Sequence, residues 1–396
     1  MRVATAPAEL LLLTGAEAAA HAMRQLNPDV VPVYPITPQT PIIETFAQFV
    51  ADGLCDAEIV NVESEHSALS AAVGASCAGA RVITATSAQG LALMLEIVYI
   101  AASMRCPIVI AVGSRALSGP INIHCDHSDS MMARDTGCVQ LFAENAQEAY
   151  DLMIMAQRLA EDRRVLVPVM VMQDGFTITH SAEPVALLPD AIVKEFVGEY
   201  EPLYSLLDTD HPTTQGPFAL PDYYFELKRQ QVDALEAART VWLEIQRRFA
   251  EISGRRYEGF FEEYKLSDAE YVLVLLSSTA GTAKVVIDRL RRRGIKVGLI
   301  KPWVFRPFPA RELARALADR RAVAILDRAI SLGSWGPLYL EISAAVGRYL
   351  QKRPVLYNYI YGLGGRDTPP ELLASVVTDM CNEADPTVLR YLGLRE

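Results

Sequence analysis

Cysteine is sparse in this sequence and never closely paired. The 396 residues hold 6 cysteines, Cys55, Cys77, Cys106, Cys125, Cys138 and Cys381. None falls in a Cys-x-x-Cys pair, which excludes an iron–sulfur cluster or structural zinc of the usual spacing on this chain. Scattered thiols without a secretory signal imply a reducing compartment, so the expected location is cytoplasmic. Long hydrophobic runs are also missing. Leu10–Leu13 is too short for a signal peptide. Leu91–Met104 is broken by Glu96 and falls short of the roughly 20 apolar residues of a membrane span. Positive charge is in deficit: Lys plus Arg is 37 against 48 for Asp plus Glu, a net charge of −11. That balance argues against nucleic acid and anionic membranes as main partners. Phosphate loops are absent too. Ser278-Thr279-Ala280-Gly281 matches neither the Walker pattern nor Gly-x-Gly-x-x-Gly, and Gly362-Leu363-Gly364-Gly365-Arg366-Asp367 reads as a turn.

What is present is an apolar chain, 51% hydrophobic and 21% charged. At about 100–200 residues per domain it divides into two or three. Residues 1–180 alternate helices with Val- and Ile-rich strands. Helices are expected at Gly15–Leu26, from about Thr40 to Val50, at Leu91–Ser103 and at Ala146–Glu161. Strands are expected at Val30–Tyr34, Ala57–Val62, Val82–Thr86, Pro107–Val112 and Val165–Met172. The pattern predicts a parallel sheet covered on both faces. Pro32 points to an edge strand, and either Thr37 before Pro38 or Thr40 before Pro41 is a candidate helix cap. Residues 181–267 form a connector. Its prolines, from Pro184 to Pro221, predict an extended arm running over another surface. A long helix near Asp222–Ser253 follows, packed on its own chain or gripping a partner. Residues 268–396 form a second, smaller doubly wound unit with strands near Glu270–Leu276, Val297–Ile300, Val323–Leu326 and Val355–Tyr357.

The stretch from Asn61 to Gly90 carries the clearest sign of a site. Glu63 and Glu65 stand where a strand gives way to a helix, at the carboxyl edge of the sheet, where open α/β sheets bind ligands. Small residues behind them, from Ala68 to Gly79, let another backbone come close. Glu65 reads equally as an acid favoured by the helix dipole. Arg115 follows another buried strand in a loop of small residues. There its guanidinium can fork onto a carboxylate or make a structural salt bridge. Thr37 shares that edge. His124, Asp126, His127 and Asp129 are ligand-type residues, but the loop is too irregular to fix a metal's geometry, so no metal site is assigned. Cys125 lies in the same loop, and no nucleophile–base pair can be argued for it.

Several motifs occur together in one order. They are Tyr34-Pro35-Ile36-Thr37-Pro38, Val62-Glu63-Ser64-Glu65-His66-Ser67-Ala68, Thr86-Ser87-Ala88-Gln89-Gly90-Leu91 and Arg115-Ala116-Leu117-Ser118-Gly119-Pro120. Asp126-His127-Ser128-Asp129-Ser130, Asp135-Thr136-Gly137, Trp303-Val304-Phe305-Arg306-Pro307-Phe308-Pro309 and the run from Tyr357 to Asp367 complete the set. Together they resemble the α chain of pyruvate:ferredoxin oxidoreductase and its 2-oxoacid relatives. The resemblance implies an α/β fold: a thiamine-diphosphate-binding domain of the pyrimidine type, plus a smaller domain like the transketolase carboxyl-terminal one. It also implies an oxidoreductase that decarboxylates a 2-oxoacid, pyruvate by default, with coenzyme A to acyl-CoA and CO₂, passing electrons to ferredoxin.

Such enzymes bind the diphosphate and Mg²⁺ through Gly-Asp-Gly and a following Asn. Gln173-Asp174-Gly175 is the nearest string here and does not fit. The resemblance therefore implies a β subunit that completes the thiamine diphosphate site and carries Mg²⁺. Iron–sulfur clusters belong on partner chains, including further iron–sulfur and γ-type subunits. By the same resemblance, Glu65 matches the glutamate that bonds the pyrimidine ring nitrogen, with Glu63 as the competing assignment. Pro35 matches a residue lining the pyrimidine pocket, and Thr37 and Arg115 match the residues that hold the 2-oxoacid. The loop from Pro120 to Asp129 walls the substrate side, with Ile121 and Ile123 limiting acyl size. Alternatives are a branched-chain or aryl 2-oxoacid, a lipoamide-linked 2-oxoacid dehydrogenase component, or a scaffold subunit that has lost its site.

Overall fold

Residues 9–395 are described by the structure, a computed structural model. Strand β1 (Glu9–Thr14) passes straight into helix α1 (Gly15–Leu26). The Thr14 hydroxyl accepts from Glu17 N, and the Glu17 carboxylate accepts from Thr14 N at 2.7 Å. This capping box satisfies amides that the first helical turn leaves without partners. Five strand–helix steps follow. They are β2 (Val30–Val33) and α2 (Thr40–Ala51), β3 (Glu58–Asn61) and α3 (Glu65–Cys77), β4 (Ile83–Thr86) and α4 (Ala88–Ser103), β5 (Val109–Ser114) and the short α5 (Ser128–Met132), then β6 (Val139–Phe142) and α6 (Ala146–Glu161). Strand β7 (Val169–Asp174) ends the series. Strands β4, β5, β7 and β6 pair in parallel in that order. Val30 bridges Val82, which sets the parallel pair β2–β3 beside β4.

Three expectations are corrected here. Pro32 does not mark an edge, because β2 lies between β3 and β4. Lacking an N–H, Pro32 cannot extend the ladder past Val30, and the Thr84 hydroxyl donates to Pro32 O at 2.7 Å instead. The cap of α2 is Gln39, with Pro41 in the first turn, so neither Thr37 nor Thr40 caps it. Strand β7 begins after Pro168 rather than at Val165, since Leu166 sits at φ 45° and breaks the extension.

The connector is only partly an arm. Strand β8 (Ala182–Leu187) returns to pair antiparallel with β1, from Glu9 opposite Leu187 to Thr14 opposite Ala182. Pro184 is tolerated because β8 is paired on one side only. Helix α7 (Asp190–Val197) follows. Residues 198–220 run irregularly, crossing the end of α3 through Leu206 N to Cys77 O at 2.9 Å and Ser205 Oγ to Ala78 O at 2.7 Å. The surface they cover is this chain's own. Helix α8 (Pro221–Ser253) buries Ala234, Ala238, Val241, Trp242, Ile245 and Phe249 on its own chain, whereas Tyr223, Tyr224 and Phe225 in its first turns stay exposed.

The second unit comprises β9 (Phe261–Tyr264), β10 (Tyr271–Val274), α9 (Thr279–Arg291), β11 (Val297–Pro302), β12 (Val304–Arg306), α10 (Ala310–Ala316), β13 (Ala322–Asp327), α11 (Pro337–Tyr349), β14 (Val355–Tyr361), α12 (Pro370–Cys381) and β15 (Arg390–Leu392). Its sheet runs β15-β14-β13-β10-β11-β9, so short strands at both edges extend the four that were expected. Strand β12 leaves that sheet and pairs antiparallel with β6, becoming the last strand of the first unit's sheet. Beside this crossing, the fully buried Lys301 ammonium meets Glu144 at 2.8 Å, Glu148 at 2.5 Å and Glu262 at 3.0 Å. A charge removed from water persists only when paired in this way. The two units share one interface of sheet and buried ions.

Candidate active site

Strands β3, β2, β4 and β5 lie side by side and all end on one rim. The loops that leave this rim carry Pro35, Thr37, Glu63, Glu65 and Arg115. Ser64 caps α3, its Oγ accepting from Ser67 N at 3.2 Å, and Glu65 takes the first helical position. Glu65 is only 7% exposed, and its carboxylate has no hydrogen-bond partner among the described residues. Gly90, in the first turn of α4, makes room for it. A Cβ there would stand 2.7 Å from Glu65 Oε1 and 2.5 Å from Thr86 Oγ1, closer than any real contact. Glu63 is placed quite differently. It is exposed and accepts from the Ser67 hydroxyl, which holds its carboxyl below the usual range.

Arg115 is 7% exposed, and among the described residues it makes no salt bridge, so the structural ion-pair reading finds no partner. Its Nε donates to Asn122 O at 2.9 Å and its Nη1 to Thr37 O at 2.9 Å, while Nη2 has no protein acceptor among the described residues. Desolvation lowers its pKa from the usual arginine value, and a guanidinium still carries its charge there. Asp129 joins the loops from below. Its Oδ2 accepts from both Ala88 N and Arg115 N at 3.0 Å, so one carboxylate fixes the starts of the loops after β4 and β5. Burial pushes Asp129 up to about 6 against the pull of these amides. Pro35 and Thr37 sit exposed at the mouth. Pro38 is packed from behind, because a Cβ on Gly175 would meet Pro38 Cγ at 2.8 Å and Ser114 O at 2.5 Å.

The ligand-type residues of the next loop are engaged with protein groups. His127 Nε2 lies 2.7 Å from Asp174 Oδ1, and Asp174 Oδ2 accepts from Arg328 Nη1 at 2.9 Å. Asp126 Oδ1 accepts from Ser128 N at 2.9 Å, and His124 is exposed. Ile121 and Ile123 project into solvent.

Several residues of the rim carry no individual assignment from the sequence. Gln39 Oε1, Thr86 Oγ1, Ser87 Oγ and Gln89 Nε2 are buried without a hydrogen-bond partner among the described residues. Buried polar atoms rarely go unpaired in a finished structure. Grouped at the ends of β2 and β4 near an unpartnered carboxylate, they fit a planar, nitrogen-rich ligand ring. The local signal for them is the position of Thr86 and Ser87 at a strand's carboxyl end, directly before a glycine-containing helix start.

Comparison with known proteins gives this geometry a context. Residues 21–247 match the family described as pyruvate flavodoxin/ferredoxin oxidoreductase, thiamine diphosphate-binding. Residues 269–373 match pyruvate:ferredoxin oxidoreductase core domain II. The chain belongs to this family. It is 57% identical to the pyruvate synthase subunit PorA of Thermotoga maritima, covering 98% of this chain and 99% of that one. Identity to PorA of Methanocaldococcus jannaschii is 45%, over 98% and 99% of the two chains. To the ketoisovalerate oxidoreductase subunit VorA of Pyrococcus abyssi it is 42%, over 93% of each. Among solved structures, the 2-oxoglutarate:ferredoxin oxidoreductase from Magnetococcus marinus has the same fold, with a TM-score of 0.72 at 19% identity. The match covers 94% of this chain and 65% of that one. A split-gene transketolase is similar at a TM-score of 0.55 and 14% identity, over 94% and 98% of the chains. Members of the family are oxidoreductases with a thiamine-diphosphate-binding domain, and both features belong to this chain through its membership. Among the described residues, no helix is long and apolar enough to cross a membrane.

Proposed function

We propose that this chain is the α subunit of a thiamine-diphosphate-dependent 2-oxoacid:ferredoxin oxidoreductase, with pyruvate as substrate. The overall reaction converts the 2-oxoacid anion and coenzyme A to acyl-CoA and CO₂, releasing one proton to solvent and two electrons to an iron–sulfur acceptor. The observation that carries this reading is the Glu65 carboxylate, buried on the sheet rim beside other buried polar atoms and, like them, without a partner among the described residues. The same rim holds an arginine whose Nη2 has no acceptor among them.

Thiamine diphosphate, when bound, supplies the carbon nucleophile and the electron sink that loss of CO₂ demands. Glu65 holds a proton at the pyrimidine ring nitrogen and exchanges it there. Pro35 lines the ring's pocket. Arg115 offers Nη2 to the 2-oxoacid carboxylate, and Thr37 holds the substrate beside it through its hydroxyl. Both orient the acid for reaction, and the arginine pairing ends when the carboxylate departs as CO₂.

The diphosphate, its Mg²⁺ and the clusters are assigned to partner chains: a β subunit completing the site, and further iron–sulfur and γ-type subunits leading to ferredoxin. Support comes from Asp174, the carboxylate of the nearest diphosphate-like string, which is committed to His127 and Arg328. The exposed Pro35 and Thr37 also leave the mouth open on the side a partner would cover.

A branched-chain 2-oxoacid is the second reading, favoured by the 42% identity to a ketoisovalerate oxidoreductase subunit. The higher identity to pyruvate synthase subunits ranks pyruvate first. The test is a panel of 2-oxoacids given to the co-purified complex with coenzyme A and a viologen dye. Coenzyme A-dependent dye reduction should be fastest with pyruvate. No reduction with any 2-oxoacid would refute the proposal, and faster reduction with 2-oxoisovalerate would replace the substrate. Calorimetry on the isolated chain should find weak thiamine diphosphate binding, and tight Mg²⁺-dependent binding would refute the shared site.

A further inference from the structure

Arg115 can recognise a carboxylate only if its fork is held at a fixed angle. Two carbonyls hold it. Thr37 O is part of the rim itself, but Asn122 O belongs to a loop with little packing of its own. Ser118, Gly119, Pro120 and Ile121, just before it, are all exposed. The tether of Asn122 is its side chain. Nδ2 donates to Gly364 O at 3.0 Å, and Oδ1 accepts from His124 N at 2.6 Å. Gly364 belongs to the second α/β unit, in the Gly362–Asp367 turn that the sequence left without a role.

That turn is shaped to receive the loop. Gly364 and Gly365 both have positive φ, 58° and 77°. A Cβ on Gly364 would stand 2.5 Å from Asn122 Nδ2, and one on Gly365 would collide with the His124 side chain. Only glycine allows the two segments this close. Gly364 N donates to Asp126 Oδ2 at 3.1 Å and Gly365 N to Cys125 O at 2.7 Å, so the turn and the loop are laced together over several residues. We propose that Asn122 is a positioning residue for Arg115, and that through Gly364 it makes the aim of the guanidinium depend on the docked second unit. This rests on the reading of Arg115 as the carboxylate-binding residue.

The test uses the assembled complex and starts from Arg115→Lys, which should raise the pyruvate KM. Asn122→Ala keeps the Nε acceptor but releases its tether, so the pyruvate KM should rise roughly tenfold. The coenzyme A KM and the melting temperature should stay unchanged, a split that a general folding defect would not give. The Kd for oxamate, an unreactive mimic of the substrate carboxylate, should rise by the same factor in calorimetry. Gly364→Ala should reproduce the changes in pyruvate KM and oxamate Kd from the other side of the contact. The double variant should be no worse than the worse single one, because both break one link. An unchanged pyruvate KM in Asn122→Ala and Gly364→Ala, where Arg115→Lys has raised it, would overturn the proposal alone. So would a parallel rise in the coenzyme A KM, or single effects that multiply in the double variant. If Arg115→Lys itself leaves the pyruvate KM and oxamate binding unchanged, the underlying reading fails and this inference falls with it.

Discussion

Arg115 and Thr37 are joined directly, Nη1 to main-chain carbonyl at 2.9 Å, although 78 residues separate them in the chain. The bond uses the Thr37 backbone and leaves its hydroxyl free. Thr37→Ala should therefore keep Arg115 in place and weaken the substrate only by the hydroxyl's own contact, about tenfold in kcat/KM. Arg115→Lys removes the planar fork and should cost more, on the order of a hundredfold. Steady-state kinetics with pyruvate on the complex checks the ranking, and a larger loss from Thr37→Ala would reverse the assignments.

Glu65 and Glu63 are two residues apart but occupy opposite environments, one buried without a partner among the described residues, the other exposed and bonded to Ser67. Glu65→Gln should lower kcat at least about a hundredfold, the scale of a lost proton-transfer group. Glu63→Gln should change it by less than about twofold. Rates of CO₂ release by the two variants decide the matter, and the reverse order would move the role to Glu63.

Gly90 tests the same carboxylate without touching its charge. In Gly90→Ala the new methyl falls on Glu65 Oε1 and Thr86 Oγ1, so the carboxylate must shift. Alanine is otherwise a good helix residue. Activity should therefore drop at least about tenfold while the melting temperature changes little. Retained activity would mean that the position of Glu65 is not critical.

Much of this rim is legible in the chain because its elements are local. Val- and Ile-rich strands alternate with helices, and Thr37, Glu65 and Arg115 each follow the end of one. What is not legible depends on approaches between distant segments. Asn122 resembles any loop polar residue until Gly364, 242 positions later, comes to meet it. Strands β12 and β15 span three residues each, too few to show a period, and partners elsewhere in the fold determine them. Pro32 misleads for a related reason. A missing donor suggests an edge, but here a threonine hydroxyl on the next strand bonds the Pro32 carbonyl instead.

Burial gives the protein a pH dependence with a definite sign. Asp327 is pushed up to about 7, although it accepts from Leu338 N at 2.7 Å at the start of α11. A raised carboxyl pKa means that the folded state holds the proton more firmly than the unfolded chain. Its contribution to stability is thus complete below about pH 4 and is lost as pH rises through about 7. Asp129 acts in the same direction, through about 6. Asp327→Asn keeps an acceptor for the amide but no longer titrates. Its melting temperature should fall less steeply than that of the parent between about pH 4 and 7. Equal slopes would mean that Asp327 does not carry the dependence.

The crossing of β12 into the first sheet bears on how this chain can be cut. Production of the first unit by itself would strip the last strand from β6. It would also leave Glu144 and Glu148 without the Lys301 ammonium. An opened sheet margin invites pairing with other chains, so such a fragment should precipitate or associate rather than fold as a monomer. The join between the units is therefore a condition of solubility for the first of them.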